Sequence, residues 1–205
     1  MVSLNKSVSD ALRSLSRKPT TPEHFKAYFA EVSAEKNDRG AAILMAAIVE
    51  NALQIAIERR LSIGEGEYDL LFGNDGSIST FSDKIRIGSA LAIYGEKTKG
   101  TLNLLRHLRN AFAHAQVPIN FMTEQVVKAC NIMEVPSLPQ SAGLMHYALD
   151  NATDSPSRAK YKRICDVLAY NLSEYSMDAL QQFPDKTMPS LGDKYQYLVR
   201  PVPLP

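Results

Sequence analysis

Apolar residues recur at three- and four-residue intervals along most of this chain, the spacing of helices rather than of strands. Phe25, Tyr28, Phe29 and Val32 form one such face. Thr21, Pro22 and Glu23 precede it, supplying a capping hydroxyl, a proline for the first helical position and an acid facing the positive helix end. The helix they predict reaches Glu35 or Lys36, and a shorter, weaker segment from Ser9 to Leu15 precedes it. Arg39 to Leu61 carries the strongest helical pattern, with Ala41, Ala42, Ala46, Ala47, Ala52 and Ala56 as good helix formers. Ile43, Leu44, Ile48, Leu53, Ile55 and Ile57 make this segment apolar on most sides, which places it in the middle of a bundle. Its one polar break, Glu50-Asn51, needs partners if buried.

Ser62 to Ser79 reads as a loop, punctuated by Gly64, Gly66, Gly73 and Gly76, with a turn at Asn74-Asp75-Gly76. Thr80 or Ser82 caps a following helix that runs to about Tyr94, where Gly95 stops it. Lys97 to Ala115 is the next helix, with a stripe of Leu102, Leu105, Leu108 and Phe112, and Pro118 closes it. Thr123-Glu124-Gln125 begins another, to about Met133, and Ser141 to Leu149 is a weaker candidate. Ser155-Pro156 opens the last long helix, through Ile164, Leu168 and Leu172 to Leu180. The pattern predicts an all-α fold: a bundle of about six to seven helices in one domain over residues 1–182. Its core lies at about 21–134, its last long helix at about 156–182, and an extended proline-rich tail at 183–205.

Composition narrows the classes. Hydrophobic residues at 45% and charged residues at 22% over 205 positions exclude wholesale disorder. Lys+Arg 23 against Asp+Glu 22 leaves a net charge of +1, which excludes polybasic coating of nucleic acid but not a local basic patch. Cys130 and Cys165 sit in no metal spacing and read as buried thiols in a reducing compartment. The N-terminal residues lack the apolar stretch of a signal peptide. The longest apolar run, Gly40 to Val49, is short of the roughly 20 residues of a spanning helix. A soluble, cytoplasmic protein without membrane contact is the expectation.

The informative stretch is Leu105 to Ala115. Arg106, Asn110 and His114 fall at i, i+4 and i+8, one helical stripe, with Arg109 flanking it and His107 on the far shoulder. Arginine offers a planar fork for phosphate oxygens, and histidine exchanges protons near neutrality. The same residues near a helix C-terminus are also what the helix dipole favours, so spacing alone leaves a functional and a structural reading open.

Arg109-Asn110-Ala111-Phe112-Ala113-His114 resembles the Arg-x4-His motif of the HEPN superfamily of helical domains, including the polar residue directly after the arginine. From about Arg39 to Ala115 the chain also resembles the mannitol operon repressor family of bacterial helical proteins. The features that carry this are the apolar helix with Val49-Glu50, the Leu71-Phe72-Gly73-Asn74-Asp75-Gly76 turn, the helix containing Ser82-Asp83-Lys84-Ile85-Arg86-Ile87, and the motif helix. The first resemblance implies a homodimer that is either an RNA-binding domain or an endoribonuclease whose paired motifs cut RNA without metal, leaving a 2′,3′-cyclic phosphate. His114 would then be general acid or base, Arg109 would steady the phosphorane charge, and Asn110 would orient the imidazole or the phosphate. Arg106 would support the stripe, and Glu50 would be the carboxylate paired with Arg109, unless it is an exposed or capping acid. The second resemblance implies a non-enzymatic transcriptional regulator that acts through a protein partner.

No cofactor or metal ligand set is expected from His24, His107, His114 and His146, which show neither His-Glu-x-x-His nor paired-carboxylate spacing. No P-loop and no Gly-x-Ser-x-Gly elbow occurs. Lys160, Lys162 and Arg163 are expected on a solvated helix face, so direct sequence-specific DNA reading is not expected. Met45, Met122, Met133 and Met145 read as core filler.

Overall fold

The computed structural model describes residues 30–134 and 153–172, apart from positions 33, 62, 65 and 74, together with Val8, Ala11 and Ala27. The expected Ser9–Leu15 helix apart from Ala11, most of the Thr21–Lys36 helix, Ser141 to Leu149, the last helix beyond residue 172, and the 183–205 tail lie outside the described residues. The chain divides into two compact units, Met1–Ala34 and Glu35–Pro205. The first is helical at each of its described positions.

In the second unit, all regular structure among the described residues is helical, in six helices: α1 Asp38–Glu58, α2 Tyr68–Phe72, α3 Phe81–Ala90, α4 Glu96–His114, α5 Glu124–Ile132 and α6 Pro156–Tyr170. Thr80 and Ser155 cap helices as the sequence predicts, and Asn37 is a further cap. Asn37 accepts from the backbone N–H groups of Arg39 and Gly40, Thr80 from that of Asp83, and Ser155 from that of Arg158 with Pro156 behind it. Helix α1 is the axis of the bundle, packing against α3, α4 and α6. Ala41, Ala42, Ala46, Ala52 and Ala56 are buried along it, and these small side chains let three neighbours approach. By length and composition α1 could cross a membrane, so its apolar character extends further than the Gly40–Val49 run. More than half of that stretch is buried against the other helices, which is the setting of a core helix.

Two local features differ from the expected pattern. Helix α3 stops at Ala90, well before Gly95, because Ala92 takes a left-handed backbone (φ 53°) and turns the chain. Tyr94 then folds back over the helix, its hydroxyl donating to the Ile85 carbonyl at 2.6 Å. Gly88 makes room: a Cβ there would sit 2.9 Å from the Tyr94 ring. Gly95 serves as N-cap of α4. The expected Ser62–Ser79 loop contains α2, a single turn-and-a-half with no buried residue.

An aromatic row fixes α4. Phe112 on its inner face meets Phe121 at 5.0 Å between centroids, and Phe121 meets Tyr161 of α6 at 5.2 Å. The Tyr161 hydroxyl donates to the Ala42 carbonyl of α1 at 2.9 Å, so the row spans three helices. A charged knot lies at the start of α1. Buried Arg158 donates to Asp38 at 2.5 Å and to the carbonyls of Glu35 and Lys36, and its Nε lies 3.0 Å from Asp154. Asp38 also accepts from the Phe121 backbone N–H at 2.9 Å.

Lys162, expected on a solvated face, is instead buried and bound to Asp154 at 2.8 Å, because α6 is enclosed on nearly every side. Met45 and Met133 are core residues as expected, whereas Met122 is 67% exposed beside buried Phe121, and Met145 lies outside the described residues. Cys130 and Cys165 are free and buried, and burial pushes the Cys130 thiol up to about 11.

Phe121→Ala opens a cavity in the middle of the aromatic row and is expected to cost about 3–5 kcal/mol in urea unfolding, against about 0.5 kcal/mol or less for Met122→Ala next to it. Asp166 gives a pH-dependent test. Burial raises its carboxyl to about 7, opposed by the nearby Arg163. The unfolded chain ionises this group near pH 4 and the folded chain near 7, so its contribution to stability is present in acid and lost as pH rises through that window. Asp166→Asn removes the loss: relative to the parent it gains about 2–4 kcal/mol between about pH 4 and about pH 8, measured by urea unfolding at each pH.

Candidate functional site

Helix α4 has two unlike sides. Thr98, Thr101, Leu102, Leu105, Leu108 and Phe112 are buried at three- and four-residue spacing against the bundle. Lys97, Gly100, His107, Ala111 and His114 are exposed on the other side. A Cβ on Gly100 would touch nothing within 4 Å, so this line of the helix is open and partly flat. Beyond Glu96 the helix carries no acid, while Lys97, Lys99, Arg106 and Arg109 are cationic. In a chain of net charge +1 that is a concentration of positive charge on one element.

The acid that answers it comes from α1. Glu50, whose side chain is 17% exposed, lies between α3 and α4. Lys84 of α3 donates to one of its oxygens at 2.8 Å, with the lysine side chain only 8% exposed. Arg109 Nη2 of α4 stands 3.9 Å from the other oxygen, beyond hydrogen-bond length, and its side chain is 37% exposed. Arg109 Nη1 donates instead to Asn110 Oδ1 at 3.2 Å. Glu50, Arg109 and Asn110 are therefore neighbours, and the ion pair between Glu50 and Arg109 is present but long.

The remaining motif residues sit apart from this group. Arg106 makes its contact with His107, Nη2 to ring Nε2 at 3.2 Å, and its Nε is buried without a hydrogen-bond partner. His114 is exposed in the last turn of α4, with no hydrogen bond or ion pair to a described residue. From Arg109 to His114 is five residues, about 7.5 Å of rise and about 140° of rotation, so one chain does not bring the guanidinium and the imidazole to a common point. His107 and His114, seven residues apart, share one line of the helix with Ala111 between them.

Two participants are not singled out by the sequence pattern. Lys84 occupies the stripe of Phe81, Ile85 and Gly88 that α3 buries. A lysine on the apolar stripe of a helix, next to an apolar helix with a single glutamate in its middle, is the signal that finds it. Arg39 is the other: its Nη2 donates to the Ala115 carbonyl at 3.0 Å, capping the end of α4 beside His114. The two are 76 positions apart, and nothing in the local sequence links them.

Chemically, the group presents two cations on one carboxylate. Lys84 neutralises Glu50, and the Arg109 fork retains both its charge and access to solvent, which suits an oxyanion. Among the described residues no group of three or more His, Cys, Asp or Glu side chains is placed to hold a metal ion. Comparison with family models, with curated proteins and with solved structures finds no match to this chain.

Proposed function

We propose that this chain is a HEPN-like helical protein that acts as a homodimer on RNA, as a metal-independent endoribonuclease using Arg109, Asn110 and His114. The observation that carries the reading is the state of Arg109: a guanidinium on a helix with no acid beyond Glu96, 3.9 Å from its carboxylate and reachable from solvent. The open line of α4 with Gly100, His107, Ala111 and His114 supports a dimer, because it is exposed and, at Gly100 and Ala111, low enough to admit a second copy of the same helix. The reading requires the second copy to bring its His114 to Arg109, supplying what one chain, with the two about 140° apart on the helix, lacks.

In the reaction, a ribose 2′-oxygen attacks the adjacent phosphorus and the bond from phosphorus to the 5′-oxygen breaks. One His114 takes the proton from the 2′-hydroxyl, and the other gives a proton to the leaving 5′-oxygen. Arg109 meets the charge that builds on the non-bridging oxygens, and Asn110 steadies the guanidinium. The products are a 2′,3′-cyclic phosphate and a 5′-hydroxyl. Acid–base help of this kind contributes about 10²–10⁴-fold.

A second reading, a transcriptional regulator resembling the mannitol operon repressor and working through a protein partner, draws on a different feature. Leu70 is 73% exposed on α2, immediately before the Leu71–Gly76 turn that carries the resemblance, an apolar contact offered to another protein.

Purified protein incubated with structured RNA in EDTA tests the enzymatic reading. Wild type is expected to release fragments ending in 2′,3′-cyclic phosphate, and His114→Ala to do so at least about 10²-fold more slowly. Equal recovery of intact RNA from both overturns the nuclease and leaves the regulator.

A further inference from the structure

Arginine and carboxylate prefer a two-pronged contact, with both guanidinium nitrogens on the two oxygens. Glu50 and Arg109 do not make it. The reason is visible in the third member: the Lys84 ammonium occupies one Glu50 oxygen at 2.8 Å, leaving Arg109 a single long approach to the other. Lys84 is 8% exposed and its hydrogen-bond partner among the described residues is Glu50, so it has little else to do with its charge. An isolated buried lysine is costly, and α3 would bury a leucine or methionine at this position more cheaply. The charge is retained where it faces the carboxylate next to the Arg109 fork.

We infer that Lys84 is a positioning residue for Arg109: by holding Glu50 it keeps the guanidinium fork open to an RNA phosphodiester. This rests on the reading of Arg109 as a phosphate clamp and assigns the device that keeps its Nη2 off the carboxylate, Nη1 being bonded to Asn110. Without Lys84, Glu50 has both oxygens free, and Arg109 closes on it. The fork is then spent inside the protein, although no residue that touches RNA has changed. Removing the Glu50 charge as well releases Arg109 again. A lysine that served only to join α1 to α3 would show no such recovery.

The test compares full-length wild type, Lys84→Met and the Lys84→Met/Glu50→Gln double variant, each checked for folding by urea unfolding. One readout is binding of a short fluorescein-labelled single-stranded RNA by anisotropy. The other is the Arg109 guanidinium nitrogen spectrum of the RNA-free protein, in which an arginine locked to a carboxylate shows slowed rotation and resolved Nη signals. Lys84→Met is expected to bind RNA about tenfold more weakly, as for loss of one charge-assisted contact, and to show resolved Arg109 Nη signals. The double variant is expected to return to within about threefold of wild type and to lose those signals. Wild-type affinity in Lys84→Met, or a double variant that folds yet stays weak, overturns the inference. If wild type binds no RNA, the proposed function fails. The guanidinium signals then decide alone: unchanged Nη signals in Lys84→Met overturn the capture of Arg109 by Glu50, and resolved ones uphold it.

Discussion

A carboxylate carried into the middle of a helical bundle has to be answered by positive charge, and in this protein the answer comes twice. Glu50 projects from the most apolar helix of the chain, where an unpaired ion would cost several kcal/mol. Lys84 meets it at hydrogen-bond length from α3, and Arg109 stands at 3.9 Å on α4. One side chain therefore relates the three helices that share this region, and it does so unequally. The short contact satisfies the ion, and the long one leaves a partly exposed guanidinium beside a neutralised acid. Both the orientation of α4 and the chemistry offered on its surface follow from that inequality.

The rest of the second unit holds α4 where Glu50 can reach it. The Phe112, Phe121 and Tyr161 row ties its inner face to α6 and, through the Tyr161 hydroxyl, to the α1 backbone. Arg158 binds Asp38 and two carbonyls just ahead of α1, and Asp38 in turn takes the Phe121 N–H. The end of α4 is closed by Arg39, again from the first turn of α1. Core and polar contacts converge on one arrangement, with the line of Lys97, Gly100, His107, Ala111 and His114 on α4 left exposed.

Much of this is legible in residue order. Helical periodicity places α1, α3, α4, α5 and the start of α6 within a few residues, because their apolar stripes are regular and their caps conventional. It misplaces the end of α3, since glycine is the usual stop and here Ala92 makes the turn. It misplaces Lys162 because a charge cluster on a helix is normally wet, and only the tertiary enclosure of α6 buries it. At the site, the neighbourhood of Glu50 and Arg109 is reached through a family resemblance. Its closest contact, Lys84, is not, because which cation wins a shared carboxylate depends on distances that sequence spacing does not encode. The separation of His114 from Arg109 on one chain follows from helical geometry alone, and it makes the second copy a requirement of the nuclease reading.

The unequal sharing of Glu50 is most directly measured by two double-mutant cycles in urea unfolding, pairing Glu50→Gln with Lys84→Met and with Arg109→Met. Unequal sharing gives a coupling of about 2 kcal/mol or more between Glu50 and Lys84, and under about 1 kcal/mol between Glu50 and Arg109. A Glu50–Arg109 coupling equal to or larger than the Glu50–Lys84 coupling would contradict it.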